Sequence, residues 1–188
     1  MTAPIDLEAI LDRLGPGIAE TAAEADAADR FVAGNLAALR EARVNSALVP
    51  AELGGGGAPH GAMCAFLRRL AALCPSTALA QAMHQHVVAA AVANDRAGRP
   101  GRALLETVAA EETALVSTGA NDWLGSNGVA ERAPGGYRVT AAKPFASGAP
   151  SGDRLVTSAV HDDAEAGPTV LHFSVPLSAE GVRIEDDW

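Results

Sequence analysis

The feature that most constrains this chain is a change of pattern at about residue 112. Before that point the sequence is rich in Ala and Leu, and apolar residues recur at helical spacing. After it come short runs of Val and Thr separated by Gly, Pro, Asp and Asn. The two periods bury different faces, so neither half can borrow the other's architecture. The order helices-then-strands predicts an α+β chain rather than alternating βαβ units. The expectation is an all-α domain over residues 1–112, then a small antiparallel β-barrel or sandwich over 113–188.

Within the first half, Leu7, Ile10, Leu11 and Leu14 predict a helix over 5–14, stopped by Gly15-Pro16-Gly17. A second helix is expected from Ile18 to Ala42. A third carries Met63, Phe66, Leu67, Leu70 and Leu73 and ends near Pro75, where Ser76 is a good N-cap for a helix from Thr77 to about Ala97. A helix over Arg102–Glu112 closes this half. In the second half, strands are predicted over Thr113–Thr118, Gly128–Arg132, Tyr137–Ala142, Arg154–Val160, Thr169–Val175 and Val182–Glu185, with Pro134-Gly135-Gly136 as a hairpin turn.

Net charge excludes one class of partner. At −9, and without a Lys/Arg run, the chain offers nucleic acid no electrostatic footprint. No apolar stretch reaches the ~18 residues a membrane span needs, and Met1–Ile10 does not read as a signal peptide, so a cytoplasmic location is expected. Cys64 and Cys74 sit in apolar helical sequence and read as buried, reduced thiols. No His or Cys cluster has metal-ligand spacing, so no metal is expected. Gly54–Gly57 reads as a structural loop, because Ala58-Pro59-His60 stands where a phosphate loop needs Lys and Ser or Thr. His84 and His86 are two apart on one helix and face different ways. His86 shares a stripe with Leu79, Met83 and Ala90 and reads as packed, whereas His84 is placed to line a cavity.

Several segments together resemble the acyl-CoA dehydrogenase superfamily. Leu39-Arg40 runs on to Leu48-Val49-Pro50-Ala51-Glu52-Leu53-Gly54-Gly55; then come Phe66-Leu67-Arg68-Arg69-Leu70-Ala71 and the Pro75-Ser76-Thr77-Ala78-Leu79-Ala80 turn. Glu111 to Ala120 is similar to the family's first flavin-contacting strand and loop. Gly136-Tyr137-Arg138-Val139-Thr140-Ala141-Ala142-Lys143-Pro144-Phe145-Ala146-Ser147-Gly148 is the most specific stretch.

The resemblance implies a flavoprotein oxidoreductase holding FAD, with FMN as the other candidate. Phe145 would wall one face of the ring, with Ser147 two residues on and on the same strand face. Ser117, Thr118, Gly119 and Asn121 would contact the cofactor, and His84 and Ser147 are the candidate catalytic residues. The first reading is dehydrogenation of a small-molecule substrate such as an acyl-CoA thioester, with hydride passing to flavin N5. The loop Ser117-Thr118-Gly119-Ala120-Asn121-Asp122-Trp123 departs from the family's Thr-Glu-Pro-Gly-x-Gly-Ser-Asp, and Phe145-x-Ser147-Gly148 resembles the flavin-dependent monooxygenase branch. Oxygen transfer is therefore the second reading. The resemblance also implies a C-terminal helical domain that this sequence does not contain, so the expectation is either a fragment or a partner chain that carries the remainder, with a homo-oligomer as the other expected assembly. A non-catalytic subunit that needs such a partner is the third reading.

Overall fold

A computed structural model describes residues 4–165 and 167–185, without the side chains of Ala120 and Asn121. The chain divides into two compact units, Met1–Ala114 and Leu115–Trp188.

The first unit is helical: α1 (Leu7–Ala27), α2 (Ala33–Glu41), α3 (His60–Leu73), α4 (Pro75–Arg96) and α5 (Arg102–Glu111). The Gly15-Pro16-Gly17 stop is a correction, because α1 runs straight through it. Pro16 faces solvent, where the carbonyl it leaves without a donor can hydrate, while Leu7, Leu11, Gly15 and Ile18 form one buried stripe. Packing along that stripe outweighs an intrahelical Pro penalty of about 3 kcal/mol. Gly15 has a specific reason to be there: a Cβ would sit 2.9 Å from Leu73 Cδ1, so glycine lets α1 approach α3.

The break falls later than expected. Residues 19–30 are almost wholly exposed, so little packing holds the helix end, and Asp29 takes a left-handed backbone with φ 48°. The N-terminus of α4 also differs: Cys74 is the N-cap and Pro75 the first helical residue, where its fixed φ suits the helix and its missing N–H costs nothing. On α4 the two histidines exchange roles. His84 is buried at 4 % exposure, while His86 lies on the exposed face with Leu79. Cys64 is exposed, correcting the buried reading, and only Cys74 is buried. The glycine run packs as a loop. Gly56 and Gly57 donate to Ser46 and Val49, and a Cβ on Gly55 would lie 2.3 Å from Val49 Cβ and 2.4 Å from its carbonyl oxygen.

The second unit is a five-stranded sheet: β1 (Leu115–Ser117), β2 (Val129–Ala133), β3 (Gly136–Thr140), β4 (Arg154–Asp163) and β5 (Gly167–Pro176). It is mixed, not antiparallel, and not a closed barrel. β4 is the central strand; it pairs antiparallel with β5 along its whole length but parallel with β1, and with β2 at Val129↔Val160. A short helix, α6 (Ala120–Leu124), fills the loop after β1, which the strand pattern does not foretell. Residues 182–185 form no strand. Among the described residues, no helix is long and apolar enough to cross a membrane.

Two glycine substitutions should move stability in opposite directions. Gly55→Ala must displace the Val49 backbone and should cost about 1–3 kcal/mol. Gly17→Ala, in an open position of α1, should gain roughly 0.5–1 kcal/mol. Urea unfolding of both variants measures this; equal effects would contradict the packing described.

Candidate functional site

The second unit organises its polar chemistry around one buried carboxylate. Asp122, on α6, and Lys143, in the loop after β3, form an ion pair with side chains 8 % and 7 % exposed. A carboxylate only accepts, and this one is saturated from several sides. Its Oδ1 accepts from Lys143 Nζ. Its Oδ2 accepts from Thr118 Oγ1 at 2.5 Å, Thr157 Oγ1 at 2.9 Å and Ser158 Oγ at 3.3 Å. Ser158 Oγ also lies within donating distance of the Asp122 carbonyl. Lys143 Nζ reaches Ser126 Oγ at 3.3 Å, and Asn127 Nδ2 donates to the Ala142 carbonyl at 2.7 Å. The strand β4, the loop 117–128 and the loop 141–147 are thereby tied together. Burial raises the pKa of Asp122, but hydrogen bonds from Lys143, Thr118 and Thr157 and the Lys143 charge outweigh it and hold the carboxyl well below the usual carboxylate range.

Lys143 is the only lysine in the chain; every other cationic side chain of the Lys/Arg class is arginine. Its compact ammonium suits a narrow site lined by one carboxylate and a hydroxyl, where a planar guanidinium would need more room.

Just beyond it, the loop presents Phe145. The ring is 88 % exposed and the backbone is left-handed, φ 59°. An aromatic residue rarely adopts that conformation without support, at a cost of order 1–3 kcal/mol, and such outliers cluster at functional sites. The expectation that Phe145 and Ser147 share a strand face is corrected here: β3 ends at Thr140, and 141–147 is a loop. Ser147 is half-buried, and its N–H donates to the Phe145 carbonyl at 3.0 Å, closing a tight turn before Gly148 at φ 89°.

The remaining predicted cofactor contacts divide. Ser117 is fully buried, and its Oγ has no hydrogen-bond partner among the described residues. Thr118 is turned inward onto Asp122, so its hydroxyl serves the network instead of facing outward. Gly119 takes φ 80° with open space where a Cβ would stand. Asn121 lies on α6, and its side chain is outside the described residues. Sequence reasoning assigned no role to Asp122, Lys143, Thr157 or Ser158. The one available signal was a solitary lysine beside the aromatic motif.

In the helical unit, His84 sits within a polar seam. Its Nε2 lies 2.9 Å from the Asn45 carbonyl, which fixes the proton on Nε2. Gln85 Nε2 donates to the Val44 carbonyl at 2.7 Å, and Asn45 Nδ2 to the Glu112 carbonyl at 2.9 Å. Arg43 donates to the Ala109 carbonyl at 2.9 Å and pairs with Glu112 at 3.4 Å. The histidine is thus oriented by backbone and is not mobile in a cavity.

Comparison with known proteins agrees with this architecture. Residues 14–98 match the profile of the acyl-CoA dehydrogenase N-terminal domain. Dibenzothiophene monooxygenase of Rhodococcus erythropolis is 29 % identical, over 92 % of this chain and 43 % of its own length. The methanesulfinate monooxygenase MsuC of Pseudomonas fluorescens superposes with a TM-score of 0.84 at 22 % identity, covering 100 % of this chain and 46 % of that one. A structure of KijD3 with FMN and a dTDP-linked amino sugar superposes with a TM-score of 0.81 at 28 % identity, covering 99 % and 48 %. The chain therefore resembles the acyl-CoA dehydrogenase superfamily, with the profile match confined to residues 14–98. It spans less than half the length of the curated relatives it matches.

The Asp122 network makes a pH prediction. Because the folded carboxyl has a lowered pKa, its stabilisation is complete above the unfolded value of about 4 and is lost progressively as pH falls below that value towards the lower folded one. Denaturant unfolding from pH 7 to pH 3 should therefore show a steeper acid loss for the native chain than for Asp122→Asn. At neutral pH, Lys143→Met should cost roughly 3–5 kcal/mol, since it leaves a buried charge unpaired. Parallel pH profiles would contradict the network.

Proposed function

We propose that this chain is part of a flavin-dependent monooxygenase, in which reduced flavin and dioxygen oxygenate a small molecule. The observation that carries the reading is Phe145: an aromatic ring 88 % exposed on a left-handed loop, held next to a buried ion pair. An apolar ring left in solvent is explained by a planar ligand that covers it. Ser117 is carried forward from the resemblance as a cofactor-binding residue; its hydroxyl is fully buried and, among the described residues, without a hydrogen-bond partner. The Gly119 backbone is a third candidate. Thr118 acts here through Asp122 and not by direct contact, which departs from what the family resemblance implied.

FMN or FAD supplies the redox chemistry when bound. This chain's own residues bind and orient it: Phe145 by stacking and the Gly119 backbone by polar contact. Ser147 and His84 are carried forward from the resemblance as candidate catalytic side chains, each to be tested singly. The Nε2–H tautomer of His84 makes it a donor rather than a base at that nitrogen.

Oxygen transfer is preferred to acyl-thioester dehydrogenation because the similar curated proteins are named as dibenzothiophene monooxygenases. The loop 117–123, which departs from the dehydrogenase pattern, points the same way. A partner or further segment supplying additional helices, and assembly into a homo-oligomer, belong to the same proposal.

The test supplies reduced FMN or FAD from a separate reductase, with isotopically labelled dioxygen and dibenzothiophene or methanesulfinate as probe substrate. Label in the product is the expected result. In a parallel anaerobic trial, acyl-CoA thioesters should leave bound oxidised flavin unbleached; bleaching without oxygenation would replace the proposal with a dehydrogenase.

A further inference from the structure

The buried ion pair is placed to do more than stabilise the sheet. Lys143 is two residues before Phe145 in the chain, and Asp122 closes the loop that begins with Ser117, Thr118 and Gly119. The two segments carrying the candidate flavin contacts of this unit thus meet at one carboxylate. We propose that Asp122 and Lys143 are positioning residues: together they fix loops 117–124 and 141–147 in the single arrangement that holds Phe145 left-handed and its ring outward. This rests on the flavin reading above and names how that site is set.

Three observations support it. The segment 141–147 has no ladder hydrogen bonds of its own, since β3 ends at Thr140. Its attachments to the loop 126–128 and to α6 are the Asn127–Ala142 bond, the Lys143–Ser126 bond and the Lys143–Asp122 pair. A left-handed aromatic persists only where its surroundings over-determine it. The pair is also costly as a mere structural device. Desolvating two charges consumes most of their attraction, and a well-packed apolar replacement is often as stable. What a charge pair provides that an apolar pair does not is a directional bond at a defined point.

That contrast supplies the experiment. In Asp122→Leu/Lys143→Met no charge is left buried alone. The Thr118 and Thr157 hydroxyls, 3.0 Å apart, can then bond each other. This double variant should keep a thermal midpoint close to that of the native chain, so that it folds where Lys143→Met alone need not.

Two readouts are then compared at equal stability. Chymotryptic cleavage after Phe145, located by mass spectrometry, should be at least about 10-fold faster in the double variant, because the local loop opens more readily. FMN and FAD affinity, followed by the shift of the flavin absorbance bands, should fall by at least about 10-fold, as expected when a contact is displaced by an ångström or so.

Unchanged cleavage after Phe145 would overturn the positioning role, whatever the flavin result. Faster cleavage with lowered flavin affinity would support both the role and the flavin reading. Faster cleavage in the double variant, with a native chain that binds neither flavin, would leave the positioning role standing and count against the flavin reading. Faster cleavage with unchanged affinity would sever the loop from the cofactor and overturn the proposal as stated.

Discussion

The second unit depends on a single buried carboxylate being fully paired. Asp122 gathers an ammonium and hydroxyls from the central strand β4 and from the turn after β1, and each of these comes from a different stretch of chain. Removing one partner leaves a desolvated charge, which is the expensive failure for a buried pair. The network therefore acts as a constraint on backbone as much as a source of stability. Lys143 and Asn127 hold the loop after β3 where no ladder bonds do, and the strained turn at Phe145 follows directly from that attachment. The exposed ring, the orphaned Ser117 hydroxyl and the open Gly119 backbone are what such a framework leaves facing outward or unsatisfied.

The helical unit solves a comparable problem by a different route. Its polar interior is mostly side chain to backbone: Gln85 and His84 bond to the carbonyls of Val44 and Asn45, and Arg43 bonds to those of Gly54 and Ala109. These bonds satisfy a segment that forms no α-helix, because residues 43–58 fold around the glycine run. His84 belongs to that arrangement, so its orientation is inherited from the turn and not from its helix alone.

Legibility in the sequence followed the range of the interactions. The α3 stripe of Met63, Phe66 and Leu70 and the β2–β3 hairpin at Pro134-Gly135-Gly136 come from local sequence, and both were readable. The continuation of α1 through Pro16 was not, because it is decided by Gly15 meeting Leu73 on another helix. The parallel pairing of β1 with β4 lies in chain crossing, which alternation cannot encode. At the candidate site, motif reading proposed Phe145 and Ser117 but misassigned the loop 141–147 to a strand. It also treated Thr118 as an outward contact. Both errors share a cause: the identity of Asp122 as a hub emerges only when α6, β4 and the Lys143 loop are brought together. Cys64 and His86 were misplaced for a simpler reason, since an Ala-rich helix carries little contrast between its faces.

The most direct measurement uses the fact that Lys143 is the chain's only lysine. Amine acylation of the folded protein, followed by mass spectrometry at that residue, reports whether the ammonium is buried in its pair. The account predicts modification at least about 10-fold slower than that of an exposed lysine in a reference peptide, with the protection lost in denaturant, because a buried group reacts only through opening. Acylation of Lys143 at the reference rate in a chain that is still folded would contradict the buried pair, and with it the organisation of the site.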